Sequence, residues 1–98
     1  MTPAEFEQKV VEVMEHAGFE REPAELIARD LLEKAMSSPE RIITEEQIRG
    51  IVKFAAREYD VMITDVMEDT LADSIPEIIE WAALLLFAAE EQTHSKQD

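Results

Sequence analysis

The segment Thr2–Gly18, TPAEFEQKVVEVMEHAG, carries the signals that decide the fold class. It opens with a capping box, in which the Thr2 hydroxyl accepts an early helix amide and Glu5 reaches back to the cap. Pro3 occupies the first helical position, where its missing N–H does no harm. Apolar residues then recur with the 3.6-residue period of a buried helix face: Phe6, Val10, Val13, Met14 and Ala17. Gly18 suits a left-handed helix end, so the segment predicts a helix from about 3 to 17.

Similar start signals recur along the chain. Pro23 begins a second apolar stripe, which ends near Ser37-Ser38-Pro39 and predicts a second helix. Thr44-Glu45-Glu46-Gln47 is another capping box and opens a third helix that runs to about Tyr59. Ile43 and Ile48 flank its start as a hydrophobic staple.

The last third of the chain predicts two further helices. Thr64 can cap a short helix whose inward residues are Val66, Met67 and Leu71. Ser74-Ile75-Pro76-Glu77 is a third capping box and predicts a final helix from about 75 to 91. We therefore expect an all-α fold, a compact bundle of four to five short helices. Residues 1–91 form one helical domain in this interpretation, and residues 92–98 form a flexible polar tail.

The final predicted helix contains the most apolar run of the chain, Trp81–Ala89. Apolar residues occupy every side of this run, so it must be surrounded. It is either the central helix of the bundle or a helix covered on one side by another subunit, which leaves a homodimer open.

The overall charge restricts the classes of partner. The chain has 98 residues, with 23 acidic and nine basic side chains, and a formal net charge of −14. A field of this sign repels nucleic acid and weakens adsorption to anionic lipid, so no direct nucleic-acid or membrane partner is expected. Basic protein surfaces are the natural partners. The absence of cysteine, of a signal-peptide pattern and of any uncharged apolar run longer than nine residues favours a cytoplasmic protein.

The acidic residues are concentrated where the basic ones are missing. No lysine or arginine lies between Arg57 and Lys96, and ten acidic residues do. Asp65, Asp69 and Asp73 recur every four residues. On a helix this spacing places neighbouring carboxylates about 6 Å apart. The predicted partner-binding residues are Asp65, Glu68, Asp69, Asp73, Glu77 and Glu80. Their charge density is comparable with that of a nucleic-acid strand, which permits nucleic-acid mimicry; the alternative is a solvated face that only keeps the protein soluble.

Basic residues form one row of their own. Arg49, Lys53 and Arg57 follow each other at four-residue spacing on the third predicted helix. Salt bridges to neighbouring acids explain this row better than nucleic-acid binding does, given the negative field of the whole chain.

The sequence contains few residues in a setting suited to catalysis. Acid–base catalysis needs carboxylates held out of water, and nearly every acid here falls on a polar helix face. The two imidazoles, His16 and His94, lie at a helix end and in the tail. We therefore predict a protein that is not an enzyme, with no catalytic residue, cofactor or metal site.

The segment Leu71-Ala72-Asp73-Ser74-Ile75 resembles the Asp-Ser-Leu site of acyl carrier proteins. The resemblance covers five residues and implies a serine that carries phosphopantetheine at a helix N-terminus. It also implies an acidic helix that docks on basic partner enzymes. Two features depart from the family: 24 residues follow Ser74, fewer than in carrier domains, and Pro76 is unusual in that helix.

Together these patterns predict a small acidic binding protein that docks on a basic protein surface and inhibits or regulates it. The most specific version of this prediction is an inhibitor of a nucleic-acid-processing machine that acts by nucleic-acid mimicry. Phage-encoded inhibitors of host defence and nuclease immunity proteins are often small, acidic and helical, which is an analogy of class alone. The alternative is a structural or assembly protein that self-associates through the apolar C-terminal helix. An acyl-carrier-like protein is a remote third interpretation.

Overall fold

A computed structural model describes residues 1–37 and 43–97, with side chains through Leu85. In these ranges the chain forms four helices and no strand. They are α1 (Pro3–Ala17), α2 (Arg21–Ser37), α3 (Glu45–Glu58) and α4 (Asp65–Gln97). The prediction of a small all-α bundle is confirmed.

The predicted bounds of α1, residues 3 to 17, are confirmed, whereas of its predicted capping box only the bond to the Thr2 hydroxyl is recorded. The Thr2 hydroxyl accepts a hydrogen bond from the amide of Glu5 at 3.1 Å. At the other end Gly18 has φ +117°, and its amide donates to the carbonyl of Glu15 at 3.1 Å. The next amide, that of Phe19, donates to Met14 at 3.0 Å, which completes a Schellman motif.

The capping box of α3 is complete. The amide of Gln47 donates to the Thr44 hydroxyl at 3.2 Å, and the Gln47 side chain accepts from the Thr44 amide at 3.0 Å. Ile43 and Ile48 are both buried, as a staple across this turn requires. Thr64 caps α4 by accepting from the amide of Met67 at 3.2 Å. These caps fix where the chain turns and therefore how the helices meet.

A single apolar core joins all four helices. Among the described residues no buried side chain is polar or charged. The largest fully buried side chains are Phe6, Val10, Met14, Ile27, Leu31, Ile43, Ile48, Val52, Ile78 and Leu85. Each such burial contributes on the order of 1.5–3 kcal/mol, so this core holds the bundle together.

The predicted break at Ser74 is wrong, because α4 continues through both Ser74 and Pro76. The Ser74 hydroxyl donates to the carbonyl of Thr70 at 3.1 Å, so it does not cap a new helix. A proline inside a helix costs about 3 kcal/mol. The buried residues Leu71, Ile75 and Ile78 keep one helical period across this position, and their burial outweighs that cost.

Helix α4 runs along the longest dimension of the molecule. Its 33 residues span about 50 Å at 1.5 Å per residue, which equals the longest dimension of the fold, 50 Å. The helix extends to Gln97, beyond the end predicted near residue 91, whereas the flexibility of residues 92–98 stays a prediction. No helix in the described ranges is both long and apolar enough to cross a membrane.

Of the two alternatives for the apolar run Trp81–Ala89, that of a helix surrounded by its own bundle does not hold for the first part of the run. Ala82 and Leu85 are buried, but Ala83 is exposed and Leu84 is 48% exposed. The side chains of residues 86–89 lie outside the described part. From Trp81 to Leu85, one side of the run is therefore not covered by the described parts of the other helices.

Candidate partner-binding surface

All six predicted partner-binding acids are exposed, and all lie on α4. With about 100° of rotation per residue, they occupy roughly half of the helix circumference. The buried residues Met67, Leu71, Ile75 and Ile78 occupy the opposite half. We call the exposed set the acidic face: Asp65, Glu68, Asp69, Asp73, Glu77 and Glu80.

The continuity of α4 makes the acidic face a single rigid surface. A break at Ser74 would have divided these carboxylates between two helices, whereas the observed helix carries them from Asp65 to Glu80 without interruption. The face is about 22 Å long, which gives one carboxylate for about every 4 Å. One strand of DNA carries a phosphate every 3.4 Å. The linear charge density of the acidic face thus approaches that of one nucleic-acid strand.

Pro76 adds a backbone acceptor to this surface. Proline has no N–H, so Pro76 cannot donate to the carbonyl of Ala72 one turn earlier. Both residues are exposed and lie between the carboxylates of the acidic face. The Ala72 carbonyl can therefore accept a hydrogen bond from solvent or from a donor on a partner.

The acidic face is not neutralised by the described basic residues. The ion pairs recorded in these ranges join Arg21 to Glu15 at 3.5 Å and to Glu25 at 3.0 Å, and Arg49 to Glu45 at 3.0 Å. None of them involves a carboxylate of the acidic face. As far as the described residues go, its charge is available to a partner.

One cation does reach α4, next to the end of the acidic face. The Lys9 Nζ atom lies 5.4 Å from the centroid of the Trp81 ring, within cation–π range. It contacts the ring and so links α1 to α4. The sequence offers no sign of this pair, because it depends on how the two helices pack.

Two exposed apolar side chains flank the acidic face, and sequence reasoning missed both. Val66 is 72% exposed near the start of α4, so the prediction that it points inward is wrong, and Leu84 is 48% exposed beyond Glu80. They are 18 residues apart, five helical turns, and so lie on the same side of the helix. A continuous helical projection through Ser74 would have identified them. Apolar anchors beside charged groups are the usual composition of a protein–protein interface.

Salt bridges account for only part of the basic row on α3. Arg49 pairs with Glu45 and is half-buried. Lys53 and Arg57 are exposed, and no ion pair involving either is recorded among the described residues.

A shallow groove of about 320 Å³ lies between α1 and α2. Ala4, Val11 and Ala28 contribute apolar lining, and Arg21 is already paired with Glu25. The remaining lining residues are Glu7, Gln8 and Arg29. The groove thus combines solvated polar groups with a small apolar floor.

His16 is exposed at the end of α1, and no group of three potential metal ligands occurs in the described ranges.

Ser74 does not occupy the position that the carrier-protein resemblance implies. It lies nine residues inside α4, and its hydroxyl is bonded to the Thr70 carbonyl. The modified serine of that family stands at a helix N-terminus. The local geometry therefore gives the resemblance no support.

No protein-family model matches the sequence, and no curated protein or solved structure is significantly similar to it.

Proposed function

We propose that this chain is a small, non-enzymatic binding protein that docks its acidic face on a basic protein surface and thereby inhibits or regulates that protein. The observation that carries the proposal is the arrangement of the acidic face. Its six exposed carboxylates share one side of an unbroken helix, and no described base neutralises them.

The cost of this arrangement argues for a role beyond solubility. Asp65–Asp69, Asp69–Asp73 and Asp73–Glu77 are like-charge pairs four residues apart. Each such pair destabilises a helix by roughly 0.2–0.5 kcal/mol. A surface that serves solubility alone can intersperse both signs of charge and avoid that cost. A basic partner would offset the repulsion when it binds.

The spacing of the carboxylates favours a partner that normally binds nucleic acid. A groove lined with lysine and arginine is spaced to receive a row of phosphates, and the acidic face presents a similar row of negative charge. Attraction between the two surfaces would accelerate encounter and would weaken as salt rises. Occupation of the groove would exclude the nucleic acid, which makes the chain an inhibitor by mimicry.

The proposal is tested by capture followed by competition. The immobilised protein is exposed to a cell lysate at low and at high salt, and proteins retained only at low salt are identified. Each retained protein is then titrated with an oligonucleotide in the presence of the chain. The proposal predicts mutually exclusive binding; a ternary complex, or capture that is insensitive to salt, contradicts it.

A second candidate function is self-assembly through the apolar part of α4. Its support is the exposure of Ala83 and Leu84 in a helix otherwise packed by Ala82 and Leu85. If this candidate is correct, Leu84→Glu should dissociate the assembly in sedimentation velocity. If it is wrong, the variant should sediment as the unmodified chain does.

A further inference from the structure

The outer side of α3 carries two exposed basic residues, Lys53 and Arg57, together with the exposed Glu46 one turn before Gly50. Gly50, Lys53 and Arg57 are exposed, and Phe54 is 53% exposed. Their spacing of three, four and seven residues from Gly50 places them on one side of the helix, away from the buried Ile48, Val52 and Ala55. We call these four residues the basic face of α3.

Gly50 is not needed for packing among the residues that the structure describes. A Cβ atom added there meets no heavy atom within 4 Å. Glycine in a helix interior costs about 1 kcal/mol relative to alanine, so alanine would serve the isolated bundle better. A bare backbone on an exposed side is, however, suited to close approach by another chain.

We infer that the basic face of α3 docks on the acidic face of α4 in a second copy of this chain. The two rows of charge match in spacing and length. Arg49, Lys53 and Arg57 recur every four residues, as do Asp65, Asp69 and Asp73. Each row is about 12 Å long, so two such helices packed side by side place each base opposite an acid.

In the described ranges the acidic row and Lys53 and Arg57 of the basic row take part in no recorded ion pair, whereas Arg49 pairs with Glu45. No ion pair recorded in the described ranges joins α3 to α4. On the acidic face, Ala72 and Pro76 are exposed and short, which leaves space beside the carboxylates for the ring of Phe54. The contact therefore combines ion pairs with burial of an exposed aromatic side chain.

The association is expected to be weak. The net charge of −14 opposes it, although at physiological ionic strength repulsion is screened beyond about 8 Å while contact pairs persist. Exposed ion pairs contribute little each. The same face cannot bind a basic partner and a second copy at once, so self-association would compete with such a partner. The inference itself does not depend on the function proposed above.

A complementary charge exchange tests the contact. One variant carries Lys53→Glu and Arg57→Glu, and the other carries Asp69→Lys and Asp73→Lys. In sedimentation velocity the unmodified chain should associate with rising concentration, each variant alone should stay monomeric, and an equimolar mixture should associate again. A monomeric unmodified chain, or a mixture that stays monomeric, overturns the inference.

Gly50→Gln tests the contact between two copies without disturbing the fold of either. The open space at Gly50 accommodates the longer side chain, so the melting temperature should stay the same or rise. Self-association should weaken about tenfold or more, because the side chain holds the second helix away. A Gly50→Gln chain that associates as the unmodified one does excludes this face. Ala83→Glu should leave the association intact, which distinguishes it from assembly through the apolar part of α4.

Discussion

The Ser74 hydroxyl donates a hydrogen bond to the carbonyl of Thr70, 3.1 Å away and one turn earlier in the same helix. This bond belongs to a helix interior, where serine commonly bonds back to the preceding turn. Because Ser74 lies inside α4, the carboxylates before and after it belong to one surface. The candidate function depends on that continuity.

The difference between a true cap and this internal bond can be measured. Thr64→Ala removes the acceptor of the Met67 amide and should lower the free energy of unfolding by about 1 kcal/mol. Ser74→Ala should change it by less than about 0.5 kcal/mol, since every helix amide keeps its partner. Urea unfolding followed by the fluorescence of the single tryptophan gives both values. An equal loss in the two variants would mean that Ser74 acts as a cap.

Pro76→Ala should stabilise the protein. The substitution restores a helix amide that can bond to the Ala72 carbonyl, at an exposed site that a methyl group fits. We expect a gain of about 1–3 kcal/mol, reduced by the proline's smaller unfolded-state entropy. Thermal unfolding by circular dichroism measures it. Pro3→Ala is the matched control and should be nearly neutral, because Pro3 lies at the first helical position. Equal changes in stability in the two variants would contradict a helix that continues through Pro76.

The two glycines should respond in opposite directions to alanine. Gly18 has φ +117°, and an added Cβ would lie 3.2 Å from Cγ of Met67, so Gly18→Ala should destabilise the protein by about 1–2 kcal/mol. Gly50→Ala meets open space in a helix and should stabilise it by about 1 kcal/mol. Chemical denaturation of the two variants side by side tests both signs. Equal effects would contradict the helix end assigned at Gly18.

The contact between Lys9 and Trp81 should contribute measurably to the docking of α1 on α4. A double-mutant cycle with Lys9→Gln and Trp81→Leu, followed by circular dichroism, should give a coupling of about 0.5–1 kcal/mol. Lys53→Gln, also an exposed lysine on a helix, is the control and should show no coupling to Trp81. Zero coupling for Lys9 would remove this contact as a source of stability.

Local signals in the sequence predicted much of the fold. Thr2, Thr44 and Thr64 cap helices as expected, since a cap depends on a few neighbouring residues. The apolar stripe of α1 identified Phe6, Val10, Met14 and Ala17 as buried, because burial follows the helical period.

The missed features depend on tertiary packing. The Ser74-Ile75-Pro76-Glu77 pattern satisfies the rule for a helix start, but burial of Ile75 and Ile78 keeps the helix continuous. The exposure of Val66 and Leu84 depends on which side of α4 the other helices cover. The exposure of the acidic face was predicted correctly for all six residues, because charged side chains remain in water unless paired.

The most direct test of the central proposal compares two charge reversals of equal size. Asp69→Lys with Asp73→Lys changes the acidic face, and Glu12→Lys with Glu33→Lys changes exposed positions on α1 and α2. Each pair of substitutions raises the formal net charge by four units, from −14 to −10. The quantity measured is the Kd for a captured basic protein at one ionic strength. We predict that the acidic-face variant binds about ten- to a hundredfold more weakly and that the control binds nearly as the unmodified chain does. Equal weakening in both variants, or none in either, would contradict docking through the acidic face.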